Sequence, residues 1–367
     1  MNKLQEIHVI YGDKPKEMVK KLLGEIKPEA GLPTGIIIGL KPNLVVAQPA
    51  ELGATTSPEI TAGIIEYFQE KGFLNLVILE SSWLGDNTVK AFKECGYNEL
   101  SQKYNVPLFD LKKDETIIEK VGDYSFKVCR KVKEVDYLIN IPVLKAHCQT
   151  EITCALKNLK GCIPDSEKRR FHSTGLHKPI AYLNKVIKSD MIIVDGIRGD
   201  LTYEGGGNPV EMGRIIAGFD PVLVDSYVGE LLGFHVDEIK HVKLAHEMGL
   251  GKLYGPEAKL IEMDKDKMPP IKLTPSRKVS YLSQWVVEDQ ACSPCYGSLI
   301  HALDKLNRKG KLKKFKGKIY IGRGFQESDL PEIGIGLCTK GFKTSLPGCP
   351  PKARDLVEFL EKYLTTK

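Results

Sequence analysis

The sequence predicts an α/β protein, a mostly parallel sheet with flanking helices, followed by a smaller C-terminal cysteine-bearing region. Three observations lead there. Short apolar, β-branched runs alternate with stretches of helical periodicity. Several runs end in polar residues, as buried parallel strands do where they emerge at their C-terminal ends. A Lys-, Asp- and Pro-rich stretch, 264–275, then separates this pattern from a region holding a C-x-x-C pair. The 367 residues suffice for two domains, placed at 1–262 and 276–367.

In chain order, residues 35–46 (GIIIGLKPNLVV) read as a buried strand emerging at Lys41 and Asn43. Ser57, Pro58 and Glu59 supply a cap, a proline for the first helical position and a first-turn acid, which opens a helix to about Glu70. Strands follow at 76–79, with Glu80 at the end, at 135–143, just before Lys145, and at 191–194, running into Asp195. Asp220 and Pro221 start a helix through 232, and 236–248 reads as another, stopped by Gly249. Beyond the boundary a helix runs to about Leu306, strands lie near Ile319 and Ile335, and a last helix covers 352–363.

Composition narrows the function classes. Hydrophobic residues make up 42% and charged residues 27%, the balance of an ordinary folded protein, which excludes disordered, collagen-like and coiled-coil chains. A net charge of +6 spread over this length favours anionic partners without describing a dedicated nucleic-acid binder. No run approaches the roughly 18 to 20 apolar residues of a membrane helix, and Glu6 falls where a secretory leader needs apolar residues. We therefore expect a cytoplasmic protein with no membrane or nucleic-acid partner. In a reducing compartment nine cysteines point to metal or catalysis before disulfides.

Cys292, Cys295, Cys338 and Cys349 offer four thiolates to one site. Four cysteines serve structural zinc or an iron–sulfur cluster, and the alternative is a set of ordinary buried thiols, or a C-x-x-C redox pair with two bystanders. The proline after Cys349 favours the cluster, because it removes a backbone donor and stiffens the loop, and the PGCPP run resembles the cysteine motif of the cluster-bearing small subunits of hydrogenases and respiratory NADH dehydrogenases. Cys95 and Cys129 read as core residues; Cys148, Cys154 and Cys162 match no metal spacing and are expected to pack inward.

The densest chemistry lies at 142–177. Lys145 and His147 follow a strand and so fall on a loop at the sheet's C-terminal edge, where open α/β sheets bind ligands. Thr150, Thr153 and Lys157 recur at helical spacing and, with Asn158, form a strip of donors suited to a carboxylate, phosphate or sulfonate. Lys145 and Lys157 would bind or polarise the substrate, and His147 would carry a proton. His172 and His177 could orient a substrate or ligate a metal, against the plainer reading of loop histidines. The hydroxyls of Thr55 and Thr56 precede a helix, and Asp195 closes a strand; like the glycine-rich loop from Glu204, they aim polar groups at one crevice. No Gly-rich dinucleotide fingerprint or Walker lysine loop occurs.

Taken together, KPNLV at 41–45, GATTSP at 53–58, PVLKAH at 142–147 with its T-x-x-T-x-x-x-K-N-L-K-G continuation, MIIVDGI at 191–197 and FDPVLVDSYVGELLG at 219–233 resemble the domain of unknown function family number 362, over about 35–260. The resemblance implies an α/β domain whose shared polar positions fall on Lys41, Asn43, Lys145, His147, Thr150, Thr153, Lys157, Asn158, Gly161 and Asp195, and an association with ferredoxin-type iron–sulfur cysteines. The ferredoxin run C-x-x-C-x-x-C-x-x-x-C-P is absent here, so one cluster is expected rather than two. The plan is also similar to that of the lactate racemase group. The resulting expectation is an iron–sulfur oxidoreductase with one 4Fe-4S cluster, acting on a small anionic substrate and served by an electron carrier such as ferredoxin. The alternative is a non-redox metalloenzyme, a racemase, lyase or hydrolase, with structural zinc at the four cysteines.

Overall fold

A computed structural model describes residues 3–365 apart from Tyr203, Lys272 and residues 274–276. The chain divides into two compact units, Met1–Arg169 with Leu176–Pro275, and Arg170–Gly175 with Ser276–Lys367.

The first unit is built on an eight-stranded sheet, in the order Lys259–Met263, Glu6–Tyr11, Pro209–Gly218, Met191–Asp200, Tyr137–Ile141, Ile38–Pro42, Leu76–Glu80 and Leu108–Asp110. Both pairings of Pro209–Gly218 are antiparallel and the others are parallel. Successive residues of the central strands, such as Leu138 and Ile139 or Ile192 and Ile193, are all buried, so the sheet is covered on both faces. One face packs Ile38, Leu40, Ile78, Ile139 and Ile193 against Val19, Leu22 and Leu23 of helix Pro15–Ile26 and Ile60, Ile64 and Phe68 of helix Pro58–Glu70. The latter helix starts as its sequence dictates: Ser57 Oγ accepts from the Glu59 amide at 3.3 Å and Pro58 takes the first helical position. Asp220 likewise caps helix Pro221–Leu231.

The structure differs from expectation in two places. Four strands of this sheet were not expected: Glu6–Tyr11, Leu108–Asp110, Pro209–Gly218 and Lys259–Met263. They are short, charged or glycine-bearing, and their neighbours select the strand state rather than their own pattern. The donor strip at 150–157 is not one helix. Lys145–His147 and Glu151–Thr153 form a small antiparallel ribbon, and only Ala155–Asn158 is helical, continued by the 3₁₀ turn Leu159–Cys162. The threonines and β-branched Ile152 suit a strand as well as a helix face, and short runs of this kind are decided by pairing.

The second unit carries a four-stranded, wholly parallel sheet in chain order, Val286–Glu288, Ile319–Ile321, Ile333–Ile335 and Thr344–Leu346, with helices Lys278–Ser283, Ser293–Arg308 and Ala353–Thr365. Among the described residues no helix is long and apolar enough to cross a membrane.

Candidate functional site

Strand register assembles the polar cluster. Lys41 stands opposite Asn140 where Ile38–Pro42 pairs with Tyr137–Ile141. The fully buried Lys41 ammonium donates to Glu80 Oε2 at 2.9 Å and to the Pro42 carbonyl at 2.6 Å. Asparagines continue the network: Asn43 Nδ2 donates to Asn158 Oδ1 at 3.0 Å, and Asn158 Nδ2 to Asn140 Oδ1 at 2.8 Å. Gly161 closes over this layer. A Cβ there would lie 2.6 Å from Lys41 Nζ, so only glycine permits the approach.

Above this layer the hub is Glu204. Its Oε1 accepts from Lys157 Nζ at 2.6 Å and its Oε2 meets His147 Nε2 at 2.8 Å. Lys145 Nζ donates to the Glu204 carbonyl at 3.3 Å, to Asn43 Oδ1 at 3.3 Å and to the Ala54 carbonyl at 2.6 Å. Thr153 Oγ1 takes a 2.9 Å bond from Lys157. The loop that carries Glu204 is itself pinned, because Asp200 accepts from the Thr202 and Asn208 amides and Gly207 donates to the Leu52 carbonyl.

The protonation states follow from these partners. His147 Nδ1 accepts from the amides of Gln149 at 3.0 Å and Thr150 at 3.1 Å, which leaves the proton on Nε2, facing Glu204. Burial lowers His147 to about 4, against the pull of Glu204, so the ring is neutral. Burial disfavours the charge on Glu204, but the hydrogen bond from His147 and the ammonium groups of Lys157 and Lys145 hold its carboxyl well below the usual range. Burial lowers Lys145 to about 8 and also lowers Lys157. In this arrangement His147 is a donor to a carboxylate, with its other nitrogen committed to the backbone, rather than a free proton carrier.

The remaining expected residues separate into distinct places. Thr56 Oγ1 donates to the Ile141 carbonyl and accepts from the Asn43 amide, while Thr55 Oγ1 donates to the Gln48 carbonyl; both hydroxyls hold the 49–57 turn in place. Asp195 does the same by accepting from the Ser57 and Ile197 amides, and burial raises its carboxyl to about 6. Thr150 Oγ1 donates to the Ile152 carbonyl. His177 stacks on buried His241 with ring centroids 6.0 Å apart. His172 belongs to the second unit. Cys95, Cys129, Cys154 and Cys162 are buried and Cys148 is half-buried.

Several residues of the cluster were not among the expected ones. Glu204 and Glu80 are the carboxylates that neutralise it; Glu80 ends strand Leu76–Glu80 and Glu204 lies on the loop after Met191–Asp200, and these strand-end positions were the available signal. Lys168 reaches in from helix Asp165–Thr174 to donate to the carbonyls of Ser81 at 2.9 Å and Ser82 at 2.7 Å. Asp225, fully buried on helix Pro221–Leu231, accepts from the amides of Ala155 at 2.7 Å and Leu156 at 3.0 Å, and so caps the short helix that carries Lys157 and Asn158. Most side chains of the cluster are buried, with Glu204 and Lys160 among its more open members.

In the second unit, the four expected cysteines all come off the C-terminal ends of parallel strands. Cys292 stands at the N-terminal boundary of helix Ser293–Arg308 after strand Val286–Glu288, and Cys295 sits in that helix's first turn. Cys338 lies in the turn Leu337–Thr339 after Ile333–Ile335, and Cys349 follows Thr344–Leu346. Gly336, at φ 92°, lets the Cys338 loop turn back so that the Leu337 amide donates to the Gly348 carbonyl at 3.1 Å, tying the two cysteine loops together. Burial raises the Cys295 thiol to about 12, with Cys292, Cys349 and Cys338 adding to the shift. Cys292 and Cys338 rise for the same two reasons, burial and neighbouring thiols, while Arg323 opposes the rise in both. The four thiols are therefore electrostatic neighbours. Among the described residues no group of three or more His, Cys, Asp or Glu side chains stands in metal-holding geometry. As a donor set, four thiols at one sheet edge beside an arginine fit a thiophilic metal centre, whose positive charge would reverse the mutual disfavour of the thiolates.

Fold and site thus define an α/β protein with a buried lysine–carboxylate cluster and a separate thiol-bearing unit. Residues 38–230 match the family described as Domain of unknown function (DUF362), and the chain belongs to that family. Thylakoid-associated protein sll1697 of Synechocystis sp. (strain ATCC 27184 / PCC 6803 / Kazusa) is 25% identical over 226 residues, covering 58% of this chain and 67% of that protein. Among solved structures, the lactate racemase apoprotein from Thermoanaerobacterium thermosaccharolyticum superposes with a TM-score of 0.39 at 13% identity, over 67% of this chain and 58% of the racemase chain.

Proposed function

We propose that the protein is an oxidoreductase of small anionic substrates, with one 4Fe-4S cluster on Cys292, Cys295, Cys338 and Cys349 and an electron carrier such as ferredoxin as its partner. The observation that carries the substrate class is Glu204, a carboxylate on which Lys157 and His147 converge while Lys145 holds the Glu204 backbone carbonyl. A site that holds its own carboxylate this way is suited to the carboxylate, phosphate or sulfonate of a ligand once Glu204 withdraws. Lys157 would then bind the anion, the Nε2–H of His147 would orient it, and Thr153 would keep Lys157 in line. A cluster of this kind supplies one-electron transfer when bound. In the protein itself, Gly336 and Arg323 favour thiolate ligation, the first by joining the loops and the second by its charge.

Removing the internal competitor tests the anion reading. Glu204→Ala should bind oxalate, measured by titration calorimetry, at least about tenfold more tightly than the wild type, a gain of roughly 1.4 kcal/mol. Equal or weaker binding overturns it. For the cluster, anaerobically purified protein should contain iron and acid-labile sulfide; zinc without sulfide would turn the reading to structural zinc and a non-redox metalloenzyme.

A further inference from the structure

Five lysines gather in the first unit's polar cluster, and four of them have committed ammonium groups. Lys41 is held by Glu80 and the Pro42 carbonyl, Lys145 by the Ala54 carbonyl, Lys157 by Glu204, and Lys168 by the Ser81 and Ser82 carbonyls. Lys168 also donates to Ser81 Oγ. Lys160 has no hydrogen-bond or ion-pair partner among the described residues and is half-buried, where Lys41, Lys145 and Lys157 are buried. It lies three residues beyond Lys157 on the 3₁₀ turn Leu159–Cys162, which continues the helix of Lys157. Its backbone is fixed by the tight seat of Gly161 against Lys41.

An amine acts as a nucleophile only when its lone pair is free, which requires both the loss of its proton and the absence of an acceptor that holds it as a donor. Among the described residues Lys160 meets the second condition by geometry. Its surroundings serve the first: burial, then the charge of Lys157 and, more weakly, that of Lys168, disfavour another cation there and lower Lys160 to about 7, with Glu204 pulling the other way.

We propose that Lys160 is a nucleophilic residue of this site, forming an imine with a carbonyl-bearing anion whose charged end is held by Lys157. The inference rests on the anion reading given above. The Lys160 nitrogen attacks the carbonyl carbon, a C–N bond forms as the C=O π pair moves to oxygen, and a proton passes from nitrogen to that oxygen. Loss of water then breaks the C–O bond and leaves C=N, with no net oxidation or reduction.

Trapping tests this. The full-length protein is incubated near neutral pH with glyoxylate and cyanoborohydride, whose hydride reduces the imine carbon, and the modified lysines are mapped by peptide mass spectrometry. Acetaldehyde serves as the uncharged comparator. Lys160 should be modified by glyoxylate at least about tenfold faster than exposed Lys14 and Lys90, as expected of an amine with a depressed pKa. Acetaldehyde should show less preference, and Lys160→Arg should lose only the selective adduct. Modification of Lys160 no faster than Lys14 and Lys90, or selective modification of Lys145 or Lys157 instead, overturns the assignment. Equal preference for Lys160 with both aldehydes supports the nucleophile and overturns the anion reading alone.

Discussion

The two units satisfy their reactive groups in opposite ways. In the lysine cluster nearly every charge has a partner inside the chain: Lys41 with Glu80, Lys157 and His147 with Glu204, Lys168 with serine carbonyls. At the cysteine edge the groups that face one another are alike, and burial and proximity make the Cys292, Cys295 and Cys338 thiolates harder to form. A cluster of matched charges is stable as it stands, and a guest must displace something to enter. A cluster of like groups gains from a guest of opposite charge, so the thiol edge has the larger energetic stake in an added cation.

The largest expected effect follows from that asymmetry. Metal-loaded four-thiolate sites contribute on the order of 10 kcal/mol to folding in small metal-binding domains. On the proposed reading of a metal-loaded thiol edge, stripping the metal from anaerobically purified protein with a chelator, or introducing Cys295→Ala, should therefore lower a calorimetric unfolding transition far more than any single change in the lysine cluster. An unchanged thermogram would break the comparison at its thiol end.

Next in size is the Lys41–Glu80 pair, whose side chains are 1% and 3% exposed. Glu80→Gln leaves the Lys41 ammonium buried without its counter-charge, which typically costs about 3–5 kcal/mol. Replacing both, Lys41→Met with Glu80→Leu, should recover part of that loss, because the desolvation penalty of two charges disappears with their attraction while the Leu44 and Ser81 amides that Glu80 accepts from lose their acceptor. Urea midpoints of the three proteins decide it; a double variant as weak as Glu80→Gln would show that the amides Glu80 accepts from, not the charge pair, are what the layer depends on. A smaller loss, about 1–3 kcal/mol, is expected for Asp225→Ala, which orphans the Ala155 and Leu156 amides. Circular dichroism and urea melts measure it.

The same contrast explains how much was legible in the sequence. Ile38–Pro42, Leu76–Glu80, Tyr137–Ile141 and the start of Met191–Asp200 stand out because strands buried on both faces are continuously apolar. Pro209–Gly218 is partly exposed over its first half, mixes Glu211 and Arg214 with apolar residues, and takes its conformation from pairing with Met191–Asp200. Cys292, Cys295, Cys338 and Cys349 could be grouped by residue type alone, since few roles need four thiols. Lys145, His147 and Lys157 could be placed near one another because they crowd one short segment. Glu204 and Glu80 are far from that segment in sequence and belong to a residue type that mostly decorates surfaces, so only the sheet topology shows that they are the counter-charges. The 150–157 strip failed for a local reason: the φ of 60° at Glu151 reverses the chain into a ribbon, and a glutamate at such an angle gives no sequence signal of the kind a glycine would.

The finest test concerns His147, where geometry and titration make the same claim. Its folded value lies near 4 and its ordinary value is 6.5, so between these the unfolded chain binds more protons than the folded one. Stability from this residue is therefore complete above about pH 6.5 and is lost as pH falls toward 4. One pKa unit corresponds to about 1.4 kcal/mol, and competing relaxation reduces the full shift, so a loss of about 1–2 kcal/mol is expected over that interval. Asp225 and Glu151, raised by burial to about 7 and about 8, act in the opposite direction, because the folded state then holds the extra proton. The bulk pH profile therefore mixes both signs. Comparing wild type with His147→Gln isolates the histidine: the difference in urea midpoint should shrink steadily from pH 6.5 to 4.5, since the glutamine has no proton to take up. A constant difference would mean that His147 takes up no extra proton on unfolding in this range, and the tautomer assigned from its two backbone donors would have to be given up.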